Sequence, residues 1–219
     1  MGVKDINFAA MPQIAVNVIT KPAKFFKTMP KTGGFLEPLI FAIIMGVIAG
    51  IIRALIGIFH FTYISERVTE CLGFIILYPI FIASGSFIVA AILFVIWWKL
   101  MESQENYETS CRCIAYLAAL APIVVMISAI PYVGNIINMA ICVYYLVIAS
   151  KHVHNIPEQK AWLVFGIIGA ILVLILIALE NEARNMAPTE EEYRKKAEEI
   201  NRQYLKQIEE YRKQAKRNR

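Results

Sequence analysis

The chain has 219 residues, of which 58% are hydrophobic and 18% charged, with a formal net charge of +5. This is the composition of one small membrane domain with polar ends, and it excludes a soluble globular domain, which has no use for long apolar runs. The four cysteines, Cys71, Cys111, Cys113 and Cys142, lie near or within apolar segments, which excludes a secreted disulfide framework.

Residues 1–36 are amphipathic and basic, with Lys4, Lys21, Lys24, Lys27 and Lys31 against a single acid, Asp5. Residues 1–32 hold no apolar core ahead of a small-residue cleavage site, so the first span is expected to stay as an anchor. A helix is expected over 20–29, with Thr20 as its cap and Pro22 at an early helical position. Lys21, Lys24 and Lys27 then share one side, and Phe25, Phe26 and Met29 fall nearer the other. Such a helix suits an anionic membrane surface, with the lysines at the phosphates and the apolar side chains inserted. Pro30, Gly33 and Gly34 end it.

The first span runs over 38–59, 22 residues with one charge, Arg53. At about 1.5 Å per residue it covers about 33 Å, enough for a hydrocarbon core of about 30 Å. Ala42, Gly46, Gly50 and Ala54 recur every four residues, a stripe that lets two backbones approach closely, expected here to pack within the molecule. Arg53 lies about six residues from the span's end, where it can snorkel to the interface or pair with Glu66 or Glu70.

The second span runs over 72–100, contains Pro79 and ends on Trp97, Trp98 and Lys99, as expected where a helix leaves lipid. A third, 114–130, is bounded by Pro131, and a fourth, 133–150, opens on Gly134, Asn135 and Asn138. The two are short and read as a helical hairpin, tilted or only partly crossing. Trp162 opens the fifth, which ends at 179. The stretch over 180–219 holds 11 of the 22 basic and 9 of the 17 acidic residues. There Thr189 and Glu192 form a capping box, and Tyr193, Ala197, Ile200, Tyr204, Ile208, Tyr211 and Ala215 recur at steps of three or four, predicting an amphipathic helix. The expected organisation is a basic cytoplasmic segment over 1–36, a five-span domain over 37–180 and a charged helical tail over 181–219, an all-α polytopic membrane bundle. With the N-terminus inside, nine Lys and Arg flank the spans on the inner side and one, Arg67, on the outer side before the tail.

Little in the chain suggests catalysis: there is no nucleophile elbow, no phosphate-binding glycine loop and no HExxH. Cys111 with Cys113 and His152 with His154 supply two thiolates and two imidazoles suited to zinc, but a one-residue gap within each pair is uncommon for such sites. Buried or lipid-facing thiols and interfacial imidazoles are the plainer reading. No cofactor, no metal and no nucleic-acid partner is expected.

The run VITKPAKFFKTMPKTGGFLEPLIF over 18–41 resembles the approach to the membrane domain of the Yip family, the Ypt/Rab-interacting membrane proteins, in its prokaryotic branch. There a Pro precedes a Phe-bearing amphipathic turn, a short break follows, and Pro-Leu opens the first span. The stretch over 111–172 is similar to the family's second half in its Tyr116-to-Pro122 helix, its Ile130-Pro131-Tyr132-Val133-Gly134 turn and the Lys160-Ala161 ahead of the last span. The resemblance covers about residues 14–180. It implies a five-span helical domain with a cytoplasmic N-terminus and no catalytic residues. For eukaryotic members it implies trafficking roles through small GTPases. This chain lacks their long N-terminal region, which leaves GTPase binding open, and it adds the charged C-terminal helix. The expected function is a non-enzymatic scaffold or adaptor in the cell membrane, in contact with the lipid bilayer and with membrane-protein partners or copies of itself. The alternative is a small membrane channel or transporter.

Overall fold

The computed structural model describes residues 7–58, 64–186, 195, 198–205, 207 and 208, with side chains at all of these except 58, 64–71, 183 and 184. Two compact units divide the chain, Met1–Leu176 and Ile177–Arg219. In order, a 3-10 turn, Phe8–Ala10, leads into α1 (Met11–Thr20), α2 (Pro22–Thr28), α3 (Leu36–Ile58), α4 (Ile64–Val95), α5 (Tyr107–Leu117), α6 (Ala121–Ile127), α7 (Val133–His152) and α8 (Glu158–Met186).

Five of these stretches are long and apolar enough to cross a membrane: Leu36–Gly57, Leu72–Leu100, Tyr107–Ile127, Val133–His152 and Glu158–Glu182. The third starts seven residues earlier than the 114–130 expected from the sequence. Glu108 and Arg112 hide it from a hydropathy reading, although Glu108 accepts from the Gly34 amide and the buried Arg112 bonds within the protein. Asn106 caps its start, accepting from the Thr109 amide at 2.8 Å. A 3-10 turn, Ala118–Leu120, then joins α5 to α6 just ahead of Pro122. Proline there has no amide hydrogen and crowds the preceding turn, so the chain tightens for one turn and resumes as a helix. With the spans of the hairpin 21 and 20 residues long, each reaches about 30 Å at about 1.5 Å per residue.

The third span is the centre of the first unit: 61% of it is buried inside the protein, against 11% of the fifth. α3 and α4 pack along one another, α5 against both, and α6 against α3 and α7. Ile76, Ile80, Phe81, Ile88 and Ile92 on α4 stay exposed, as suits a helix whose solvent on that side is lipid.

The N-terminal segment belongs to this unit. α1 packs beside α5 and the 3-10 turn after it, and α2 packs on α7. Lys21 breaks the chain between them at φ −137° and ψ 52°, because the residue before a proline is pushed out of the helical region. Thr20, expected to cap the following helix, instead closes the preceding one by donating to the Val16 carbonyl at 2.7 Å. Tyr145 on α7 donates its hydroxyl to the Ile19 carbonyl at 2.8 Å. Removing that hydroxyl in Tyr145→Phe is expected to cost about 1 kcal/mol, read as faster hydrogen exchange of α1 amides with α3 unchanged.

In the second unit, Ile200, Tyr204 and Ile208 are helical and exposed, and Glu198 pairs with Arg202 one turn on at 3.8 Å. The capping box at Thr189 and Glu192, and Tyr193, Ala197, Tyr211 and Ala215 of the apolar stripe, lie outside the described residues.

Candidate functional site: a polar clasp over the N-terminal segment

Three buried polar side chains of the first unit, Thr109, Ser110 and Arg112, lie at the start of α5, where the 29–35 linker crosses it. That linker is forced open by its own residues. Met29 precedes Pro30 and is extended, and Gly33 and Gly34 take φ of 123° and 84°, a region that favours glycine. Their carbonyls and amides therefore find no helical partners, and α5 supplies them. Arg112, only 1% exposed, donates Nε to the Pro30 carbonyl at 2.8 Å, Nη1 to the Gly34 carbonyl at 2.6 Å and Nη2 to Glu37 Oε2 at 3.3 Å. Glu108 accepts from the Gly34 amide at 2.7 Å, and the Thr109 hydroxyl donates to the Lys31 carbonyl at 3.2 Å. Lys31 in turn donates to Glu105 at 2.6 Å and to the Val153 carbonyl at 2.8 Å, which ties the linker to the end of α7. An isolated buried guanidinium would be prohibitively costly, and this one is matched by a carboxylate and two carbonyls.

A second buried group adjoins the end of α4, whose last turn, Ile96–Leu100, widens to a π turn. That turn carries Trp97 fully inside, where its indole N–H donates to Ser150 Oγ at 2.8 Å. His154 stacks on Trp97 with ring centroids 3.9 Å apart, and its Nδ1 lies 2.8 Å from Ser103 Oγ. Burial, with the Lys31 charge adding to it, pushes the His154 imidazole down to about 3. The sign follows: the folded state holds this ring neutral, so stability is complete above the unfolded value near 6.5 and falls as pH drops from there toward 3. At about 1.4 kcal/mol per pH unit, moving from pH 7 to pH 5 is expected to cost about 2 kcal/mol through this group. Denaturation in detergent at the two pH values checks it, and His154→Gln is expected to flatten the difference.

The residues singled out from sequence fall into place differently. Cys111, Cys113 and His154 are buried, but among the described residues no three His, Cys, Asp or Glu side chains are grouped to hold a metal ion. Gly46 and Gly50 face α4: a Cβ on Gly46 would meet Pro79 Cα at 2.6 Å, and one on Gly50 the Phe74 carbonyl oxygen at 2.7 Å. Ala42 and Ala54 of the same stripe are buried. The guanidinium of Arg53 lies 5.2 Å from the centre of the Phe74 ring, a contact between cation and aromatic face, while Glu66 and Glu70 lie outside the described side chains.

At α2 the structure corrects the expectation of lipid insertion. Phe26 and Met29 are buried in the protein's own core, and Phe25 sits edge-on to Tyr116 at 5.2 Å. Phe25 also meets Phe26 edge-on at 5.4 Å, and Tyr116 packs in turn on Phe41 at 5.5 Å between ring centroids. Lys21, Lys24 and Lys27 remain exposed. Sequence reasoning missed Arg112 and Tyr145 as the fasteners. The available signal was the Gly33-Gly34 pair, whose open backbone requires donors from elsewhere.

Five apolar spans among the described residues, the third of them the most buried, closed by an internal polar clasp, define a polytopic helical membrane protein embedded in lipid. The family model of the Yip1 domain matches residues 16–179, so the chain belongs to the Yip1 domain family. No curated protein and no solved structure matches it.

Proposed function

We propose that this protein is a non-enzymatic scaffold or adaptor of the cell membrane, acting in membrane organisation or trafficking-like processes. The observation that carries this reading is how the clasp spends its polar groups: Arg112, Glu108, Lys31 and Trp97 all bond to the same chain. They fix a shape, and Lys21, Lys24 and Lys27 are left exposed. The N-terminus is cytoplasmic, by the excess of Lys and Arg on that side. There Lys21, Lys24 and Lys27 stand at the lipid phosphates, each contributing about 1 kcal/mol near an anionic surface. The tail is the arm that reaches membrane-protein partners or a second copy. Recovery of partners from native membranes in mild detergent, with the full chain and with residues 187–219 removed, is the test. Loss of partners on truncation is expected, and unchanged recovery would remove the tail from the proposal.

A further inference from the structure

An apolar cleft of about 470 Å³ lies between α1, α3 and α6. Ile19 on α1, Ile44 and Ile48 on α3, and Ala119, Pro122 and Ile123 around the start of α6 line it, and none of its lining residues is polar or charged. Its volume falls within the range of about 300–1,000 Å³ usual for small-molecule sites. Ile44 and Ile48 stand 8 and 12 residues beyond Leu36, the start of α3, which places the cleft about 12–18 Å along that helix. The cleft therefore flanks the apolar body of the first span, Leu36–Gly57. With no polar wall it offers water nothing to bond.

Charge selects among possible occupants. Ile19 lines the cleft, and Lys21, two residues on, is exposed at the end of α1, within about 7 Å of chain. Lys24 and Lys27 follow on α2, also exposed, and no acid occurs from residue 7 to residue 36. A helix of a second copy is about 10–12 Å across, too wide for a cleft walled by three elements. A single flexible hydrocarbon chain fits, and the lysines favour a negative headgroup above it.

We propose that this cleft holds one acyl chain of an anionic phospholipid from the surrounding leaflet, its phosphate at Lys21 and Lys24. The headgroup half rests on the placement of these lysines proposed above. The scaffold role is read separately, by partner recovery.

The test uses the full chain in phosphatidylcholine vesicles doped with phosphatidylglycerol carrying a photoreactive diazirine near the end of one acyl chain. A phosphatidylcholine probe with the same acyl chain is run in parallel, and adducts are mapped by mass spectrometry. Severalfold more labelling by the anionic probe is expected at residues 44–48 and 119–123. Ala15→Trp and, independently, Ile48→Trp fill the cleft and are expected to abolish those adducts. Adducts on the exposed Leu174 of α8 should persist and report a folded, inserted protein. Lys21→Gln with Lys24→Gln is expected to bring the anionic probe down to the level of the zwitterionic one. Equal labelling by both probes in the unaltered chain, or adducts confined to the outer faces of α4 and α8, would overturn the proposal.

Discussion

Arg112→Ala is expected to lower stability by about 3–5 kcal/mol, through the cavity left by a large buried side chain and the acceptors it no longer serves. The guanidinium serves three acceptors on the linker and the start of α3, at Pro30, Gly34 and Glu37. Its removal leaves the Pro30 and Gly34 carbonyls without this donor and a cavity where a side chain 1% exposed had been. Arg112→Lys should fall between the two, because an ammonium is a point charge and cannot reproduce the fork. Glu37→Gln should cost less than about 1 kcal/mol, since that carboxylate is 36% exposed and its contact to Arg112 is the longest of the three. Thermal denaturation in detergent measures the ranking, and trypsin cleavage after Lys27 and Lys31 reports release of the linker. An Arg112→Ala protein within about 1 kcal/mol of the unaltered one would show that the clasp is decoration.

Gly46→Ala and Gly50→Ala are expected to destabilise, although alanine is the better helix former by about 1 kcal/mol. The reason lies across the interface: at both positions the new methyl would meet the α4 backbone at 2.6 to 2.7 Å, and backbone cannot swing aside. Overpacking of this kind costs about 1–3 kcal/mol per site. The two positions share one interface, so the double variant should not be the plain sum. Gly73→Ala on α4 and Gly166→Ala on α8 supply the contrast, because a Cβ there meets nothing within 4 Å. Those two are expected to be neutral or stabilising. Denaturation in mixed micelles of increasing harshness gives all four values. If the four alanine variants behave alike, the α3–α4 seam is looser than the geometry requires.

The contrast between these glycines shows where sequence reading stops. Four small residues in register identify a close-packing stripe, since only one helical face can carry that period, but they name no partner. Gly73 and Gly166 look no different in the sequence and face open space. The same limit applied to Phe26 and Met29. Their periodicity declared an apolar side, and it was silent on whether lipid or protein would cover it. At α5 the error ran the other way: Glu108 and Arg112 read as loop charges because hydropathy assumes that a charge must reach water.

What the sequence by itself determined is the membrane character, the five long apolar segments and the family. These follow from local quantities: the length of apolar runs, proline and glycine breaks, and short ordered motifs, all set by the cost of placing backbone and charge in hydrocarbon. What only the tertiary structure decided is which partner each face meets. Tyr145 reaches Ile19 across 126 residues, and Arg112 reaches Pro30 across 82. Such pairings depend on how the helices are arranged, and no local pattern encodes a distance between segments so far apart in the chain. The apolar cleft belongs to the same class, because its walls come from three elements that become neighbours only when the bundle closes.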